Sequence, residues 1–243
     1  MRRLWILAAF SAALYAQRPA TAPRPAQAAA PIDLTGYWVS QIVDEWRFRV
    51  TPQKGDIAYL PINAEARKIA MAWDPDKDTT DSAQCKAYGA VGVMQRPGRL
   101  HISWKDENTL QIDADAGTQT RLLHFAQATS TSDSSWQGYS AAQWQVRNAG
   151  RGATPAPPRE GSLKVITTKM KPGYIRKNGV PYSENAVLTE YMTILMGQQG
   201  DAYLSVTASV EDPAYLNQPF LRTYLFKKVA DASGWDPTPC WPK

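Results

Sequence analysis

Segments of strand length, in which apolar and polar residues alternate, recur through most of the chain and constrain its fold most strongly. From Glu45 to Val50, for example, Trp46, Phe48 and Val50 share one face and three charged residues share the other. Similar segments, separated by Pro- and Gly-containing turns, cover residues 36–43, 99–105, 109–113, 118–125, 139–146, 162–170, 186–196, 202–210 and 220–229. The pattern predicts an all-β fold, an antiparallel meander closing into a barrel, with a β-sandwich as the alternative.

One segment has helical spacing instead. Asn63 can cap a helix in which Ile69, Ala70 and Trp73 recur at helical intervals, and the pair Asp74-Pro75 ends it. We therefore expect one short helix beside the strands.

Residues 99–105 and 109–113 flank the turn sequence KDEN and are expected to form a hairpin. Matching their apolar faces places on one side Leu100, Ile102, Trp104, Leu110 and Ile112. The opposite side then holds His101, Ser103, Thr109, Gln111 and Asp113. The hairpin alone leaves open which side points inward, and we take His101 to be the inward one as a hypothesis.

The N-terminal segment has the parts of a secretory signal peptide. A basic Arg2-Arg3 pair precedes an apolar run over residues 4–16, and the small residues around Ala28 and Ala30 offer cleavage points. We expect a signal peptide and Pro/Ala-rich spacer, cleaved near Ala28–Ala30, and a protein of the periplasm or the exterior. The alternative is a membrane-anchoring N-terminal helix.

Cleavage would leave residues 31–243, which we expect to form a single β-rich domain with a mobile loop near 147–161. Residues 1–30 carry four arginines and no acidic residue, so the mature chain has 23 basic and 22 acidic residues. This balance provides no overall basic surface, and we expect no nucleic-acid partner. We also expect no stable membrane insertion after cleavage.

Cys85 and Cys240 are the only cysteines of the chain. An even pair in an exported protein is a candidate disulfide, and the alternative is two free thiols. The sequence has no CxxC or CxxH spacing, so a metal site built on cysteine is not expected.

The opening DLTGYW, residues 33–38, resembles the Gly-x-Trp start of lipocalin-like barrels. Longer stretches resemble a family of secreted bacterial proteins without an assigned activity: DLTGYWVSQIVDEWRFR, PGRLHISWKDENTLQIDADAGTQTRLLHF, PGYIRKNGVPYSENAVLTEY and the terminal DPTPC. The resemblance implies export and a β-rich, lipocalin-like barrel. It implies no catalytic residue.

Two histidines, His101 and His124, lie in apolar strands and are candidate acid–base residues. If they share a pocket, Asp113 or Asp115 can orient an imidazole, because histidine titrates near neutral pH. Two imidazoles and a carboxylate can also hold a metal. The alternative is that each ring faces solvent or makes one structural hydrogen bond.

Glu190 lies on the otherwise apolar strand face formed with Leu188, Met192 and Ile194. Inside a barrel its carboxyl would be desolvated and become an acid–base candidate. The alternative is a buried ion pair with Arg121, Arg176 or Arg222.

Candidate ligand contacts come from the aromatic residues and from a polar cluster around the sequence PGYIRKNG. These contacts are Trp46, Trp104, Tyr174, Arg176 and Tyr191. Tryptophans inside a barrel suit flat or apolar ligands, although tryptophan is more often ordinary core. The Asn178-Gly179 pair predicts a hairpin turn.

The sequence lacks GxSxG, P-loop, GxGxxG and HExxH motifs, and we expect no cofactor and no metal. The first functional hypothesis is a barrel that binds a small, partly apolar organic ligand. The second is a cofactor-independent isomerase, lyase or hydrolase that uses His101, His124, Asp113 or Glu190. The third is a structural protein of the cell envelope.

Overall fold

The computed structural model describes residues 24–42, 49–50, 52–80, 83–126, 134–146 and 160–241. Its helices are α1 (Ala26–Ala29), α2 (Ala64–Ala72) and α3 (Ala90–Val93), with a 3₁₀ turn over Pro75–Asp78. Its strands are β1 (Gly36–Gln41), β2 (Arg99–Asp106), β3 (Thr109–Ala114), β4 (Gln119–His124), β5 (Tyr139–Val146), β6 (Gly161–Thr168), β7 (Gly173–Arg176), β8 (Val180–Tyr182), β9 (Val187–Met196), β10 (Ala202–Glu211) and β11 (Phe220–Val229).

The strands form a closed barrel in the order β1-β11-β10-β9-β6-β5-β4-β3-β2, which confirms the predicted all-β barrel. The meander is not antiparallel throughout, because β4 and β5 run parallel with Leu123 opposite Ser140. Parallel neighbours need a long crossover, and residues 125–138 provide it. The β7–β8 hairpin leaves the barrel between β6 and β9 and forms its own two-stranded sheet.

The predicted register of the first hairpin is confirmed. Ile102 lies opposite Ile112 and Trp104 opposite Leu110, with the apolar side chains inward and both isoleucines fully buried. The predicted helix is also confirmed as α2, where the Asn63 side chain accepts a hydrogen bond from the Ala66 amide at 2.9 Å. The predicted strand over residues 45–50 is wrong at its end, because Arg49 lies in a helical turn, and its residues up to 48 lie outside the described part.

One buried ion pair lies inside the barrel. Arg121 of β4 donates to both carboxylate oxygens of Glu190 on β9, at 3.1 and 2.6 Å, and both side chains are 1% exposed. Thr167 accepts a further bond from the guanidinium at 3.3 Å and is itself 2.8 Å from the Ser140 hydroxyl. The partner that the sequence left open for Glu190 is therefore Arg121.

Both ends of the barrel are covered. At one end the segment around α1 docks through the Trp144 indole, which donates to the Ala26 carbonyl, and through the amide of Gln27, which donates to the Glu107 carbonyl. The predicted cleavage points Ala28 and Ala30 lie in this docked segment. At the other end lie residues 52–98 and 170–186, here called the cap. None of the described helices is long and apolar enough to cross a membrane.

The cap shares its core with the barrel. Its buried apolar side chains belong to the same cluster as the inward barrel residues, and they include Ile57, Leu60, Ile62, Val91, Met94, Ile175 and Val180. Most of the loop predicted to be mobile, residues 147–159, lies outside the described part of the chain.

The predicted disulfide joins Cys85 in the cap to Cys240 in the C-terminal tail. The tail is also held by the amide of Thr238, which donates to the Asp115 carbonyl at 2.9 Å. The bond thus fixes the turn around Cys85 against the turn between β3 and β4.

We expect the substitution Glu190→Leu to destabilise the protein by about 3–5 kcal/mol, because it leaves Arg121 buried without its partner. The double variant Arg121→Met/Glu190→Leu should recover most of that loss, because it removes both charges from the interior. Urea unfolding of the three proteins measures the difference. A single variant as stable as the wild type would contradict this account of the interior.

Reduction of the disulfide should also lower stability. Releasing a closed loop of 155 residues costs up to about 4–5 kcal/mol through the entropy of the unfolded chain. Unfolding with and without reductant measures this, and the variant Cys85→Ser/Cys240→Ser should match the reduced wild type. If reductant lowered the stability of that variant equally, the disulfide would not be the cause.

Candidate functional site

Both histidines lie on the outer wall of the barrel, so the inward placement of His101 is wrong. His101 stacks on Tyr37 with ring centroids 4.3 Å apart, while its neighbours Leu100 and Ile102 are buried in the core. His124 stacks on Tyr139 at 5.3 Å, and burial lowers the pKa of its imidazole. The apolar residues of each strand take the inner face, and the alternation of the strand then directs the imidazoles outward.

The predicted acid–base group is not brought together at one place. His101 faces Asp113 across β2 and β3, with Nδ1 and the carboxylate oxygen 3.9 Å apart. His124 pairs with Thr109, at the other end of β3. The two histidines thus lie on opposite sides of β3 and are offset by four of its residues, about 13 Å along the strand. In the described ranges, no three His, Cys, Asp or Glu side chains converge to hold a metal.

The predicted ligand contacts are dispersed as well. Trp104 packs inside the barrel end against Phe125 and Trp144, at 5.6 and 6.5 Å between ring centroids. Tyr191 lies on the outer wall and is 43% exposed, and Trp46 lies outside the described residues. Arg176 is buried in the cap, where it donates to the Asp56 carbonyl at 3.4 Å. Only Tyr174 lines the recess described next.

A narrow recess in the cap is built around the carboxylate of Asp78. The Tyr174 hydroxyl donates to Oδ2 at 2.6 Å, the Lys86 ammonium donates to Oδ1 at 2.6 Å, and the Trp73 indole donates to Oδ2 at 3.1 Å. Lys177 lies on its wall. The walls are close together and leave no space for a water-sized sphere.

Local structure explains how these side chains meet. Asp78 ends the 3₁₀ turn that follows α2, Lys86 follows the disulfide residue Cys85, and Tyr174 lies on β7. The predicted Asn178-Gly179 turn is confirmed between β7 and β8. Gly179 has a φ of +81°, and a Cβ there would overlap the Trp73 ring, so only glycine allows the hairpin to close onto the recess.

The environment of the recess shifts the pKa values of Tyr174 and Lys177. Burial, and then the hydrogen bond to Asp78, raises the pKa of the Tyr174 hydroxyl, so it stays protonated and donating. Burial and the nearby Arg96 guanidinium lower the pKa of Lys177 to about 8. Its ammonium lies 5.9 Å from the Tyr88 ring centroid. Aromatic rings and polar groups with shifted pKa values in one recess are typical of a binding site.

Arg96, whose guanidinium contributes to the lowered pKa of Lys177, is 5% exposed. Its Nε and Nη2 atoms are buried and have no hydrogen-bond partner among the described residues. Besides burial, Tyr88 and Tyr224 raise the pKa of Arg96 and the guanidinium of Arg49 lowers it. Burial lowers the pKa of Arg96 to about 10, so it remains charged at neutral pH.

A larger groove of about 850 Å³ lies near the other end of the barrel. It is lined mainly by neutral side chains, including Val146, Tyr191, Ile194 and Met196, and by one carboxylate, Glu160. It borders residues 147–159, which lie outside the described part. We consider the smaller recess the better candidate, because its polar groups converge and have shifted pKa values.

Comparison of the chain with protein-family models, with curated proteins and with solved structures found no match. The assignment of the candidate site therefore depends on the geometry of the recess.

Sequence reasoning missed Asp78 and Lys86, because they lie in a turn-rich segment without periodicity. Two features of the sequence could have pointed to this segment. The segment is polar and is fixed next to Cys85 by the expected disulfide, and the sequence PGYIRKNG places Lys177 in the cluster already noted.

We expect the substitution Lys177→Met to stabilise the protein at pH 7. The pKa of Lys177 is lowered to about 8 from an ordinary 10.5, so the unfolded state binds more protons between these values. Wild-type stability should therefore gain on the variant as pH rises from 8 to 10.5. Urea unfolding at several pH values measures this, with Lys68→Met on the exposed face of α2 as the control. A pH-independent difference would contradict the placement of Lys177.

Proposed function

We propose that this protein acts outside the cytoplasm and binds a small, partly apolar organic molecule in the recess of the cap. The observation that carries the proposal is the arrangement around Asp78. The Tyr174 hydroxyl, the Lys86 ammonium and the Trp73 indole all donate to its carboxylate. A few directed polar groups in an aromatic recess fix the orientation of a ligand and exclude others.

Lys177 extends this argument. It is half-buried, its charge is partly desolvated, and no hydrogen bond or ion pair joins it to another described residue. A bound molecule that accepts a hydrogen bond from its ammonium would offset that cost. The walls are narrow, so we expect a ligand to enter as the Lys86 and Lys177 side chains move aside.

The location outside the cytoplasm has separate support. The N-terminal segment has the pattern of a signal peptide, and the Cys85–Cys240 disulfide is typical of an oxidising compartment. The resemblance to secreted bacterial proteins agrees with this location.

The alternative of an enzyme based on the predicted histidines and carboxylates has less support. His101 and Asp113 lie on one part of the outer wall, His124 lies on another, and Glu190 is held by Arg121 inside the barrel. Acid–base catalysis needs its groups within hydrogen-bond reach of one substrate, and these four residues lie at three separate places.

Native mass spectrometry of the protein, purified with its disulfide intact from its own envelope fraction, tests the proposal. We expect the wild type and Lys68→Met to retain a small molecule. Tyr174→Phe and Lys177→Met should retain less of it, because each loses a polar contact in the recess. A bare wild-type mass, or equal retention by all four proteins, would contradict a binding role for this recess.

A further inference from the structure

A short N-terminal segment, residues 25–31, is bound at the end of the barrel opposite the cap. We propose that this segment belongs to the mature protein as the plug of that end, so that the signal peptide is removed before Pro25. The sequence alone places the cleavage points after Ala28 and Ala30, and either cut would remove most of the plug.

Three hydrogen bonds hold the backbone of the plug. The Ala26 amide donates to Oδ1 of Asn108 at 3.0 Å, and the Ala26 carbonyl accepts from the Trp144 indole at 2.9 Å. The Gln27 amide donates to the Glu107 carbonyl at 3.0 Å. Two separate parts of the barrel rim, the turn between β2 and β3 and strand β5, thus bind two consecutive residues. The rim provides a specific binding site for this segment.

Burial agrees with the hydrogen bonds. Ala26 is 8% exposed, although it precedes both cleavage points that the sequence predicts. Pro31 is buried, and its ring packs so closely on Gly161 of β6 that an added Cβ there would come within 2.7 Å of the proline Cγ. Three residues further on, Leu34 belongs to the core of the barrel. The plug is therefore continuous with the packed part of the chain.

Either predicted cut would remove groups that the rim binds. Both cuts release Ala26 and Gln27, so the partly buried Trp144 indole loses its acceptor and the Asn108 side chain loses its donor. The Trp144 ring also packs against Phe125, with centroids 5.1 Å apart. Loss of the plug would expose the Trp144 side of this aromatic cluster. A folded domain is more stable when such polar and apolar groups keep their partners.

The position of the new chain end leads to the same conclusion. A cut after Ala30 places the terminal ammonium on Pro31, which is buried, and burial of a charge is costly. Arg24 is exposed, so a terminus at that residue is solvated. The sequence ahead of Pro25 also offers the small-x-small pattern at Ala20-Thr21-Ala22.

The intact mass of the oxidised protein, purified from its own envelope fraction, tests where the mature chain begins. We expect a mass that corresponds to a chain beginning at Pro25 or earlier. A chain beginning at Ala26 or later, including one that begins at Ala29 or Pro31, would overturn the proposal.

Hydrogen exchange of the same protein, followed by NMR, tests whether the plug is bound. We expect the Ala26 and Gln27 amides to be protected in the wild type. Asn108→Ala removes the acceptor of the Ala26 amide and should speed its exchange by up to about tenfold. Asn185→Ala changes an exposed asparagine of the cap and should match the wild type.

The amides of β3 show in the same spectra whether each variant is folded. With those amides protected, rapid exchange at Ala26 and Gln27 in the wild type would overturn the proposal. Equal exchange of the Ala26 amide in Asn108→Ala and the wild type would also overturn it.

Discussion

The buried ion pair between Arg121 and Glu190 occupies the interior of the barrel and limits what else the interior can hold. Two charged side chains at 1% exposure are tolerated because they pair with each other, and Thr167 and Ser140 extend the network. Around the pair, the inward positions carry apolar side chains, and the docked N-terminal segment and the cap cover the two ends. The interior of this barrel is therefore a packed core, and the cap is the better candidate region for a binding site.

The side chains of the recess in the cap are held in a different way from those inside the barrel. Its side chains come from turns and a short hairpin, and what holds them is a disulfide, a glycine that fits under Trp73, and hydrogen bonds to Asp78. Groups on loops positioned by a rigid scaffold are where binding residues are commonly found.

Much of the fold could be predicted because the strands are strongly periodic. The apolar face of Leu100, Ile102 and Trp104 fixed the register of the first hairpin, and Asn63 and the pair Asn178-Gly179 marked a helix start and a turn. The parallel pairing of β4 and β5 could not be predicted, because alternation does not report strand direction. The placement of His101 was wrong for an avoidable reason: it alternates with the more apolar residues, which burial favours.

Most of the candidate site could not be predicted from the sequence. Tyr174 and Asp78 are separated by 96 residues, and no periodic pattern links the turn that ends at Asp78 to a strand of the cap hairpin. Arg96 lies between Gln95 and Pro97 and resembles a solvated surface charge until its burial is known. Contacts of this range come from tertiary packing, which local patterns do not encode.

Native mass spectrometry of the oxidised protein tests the central claim most directly. The account predicts that the wild type retains a small molecule and that Tyr174→Phe and Lys177→Met retain less of it. A bare wild-type mass, or equal retention by the variants, would contradict it.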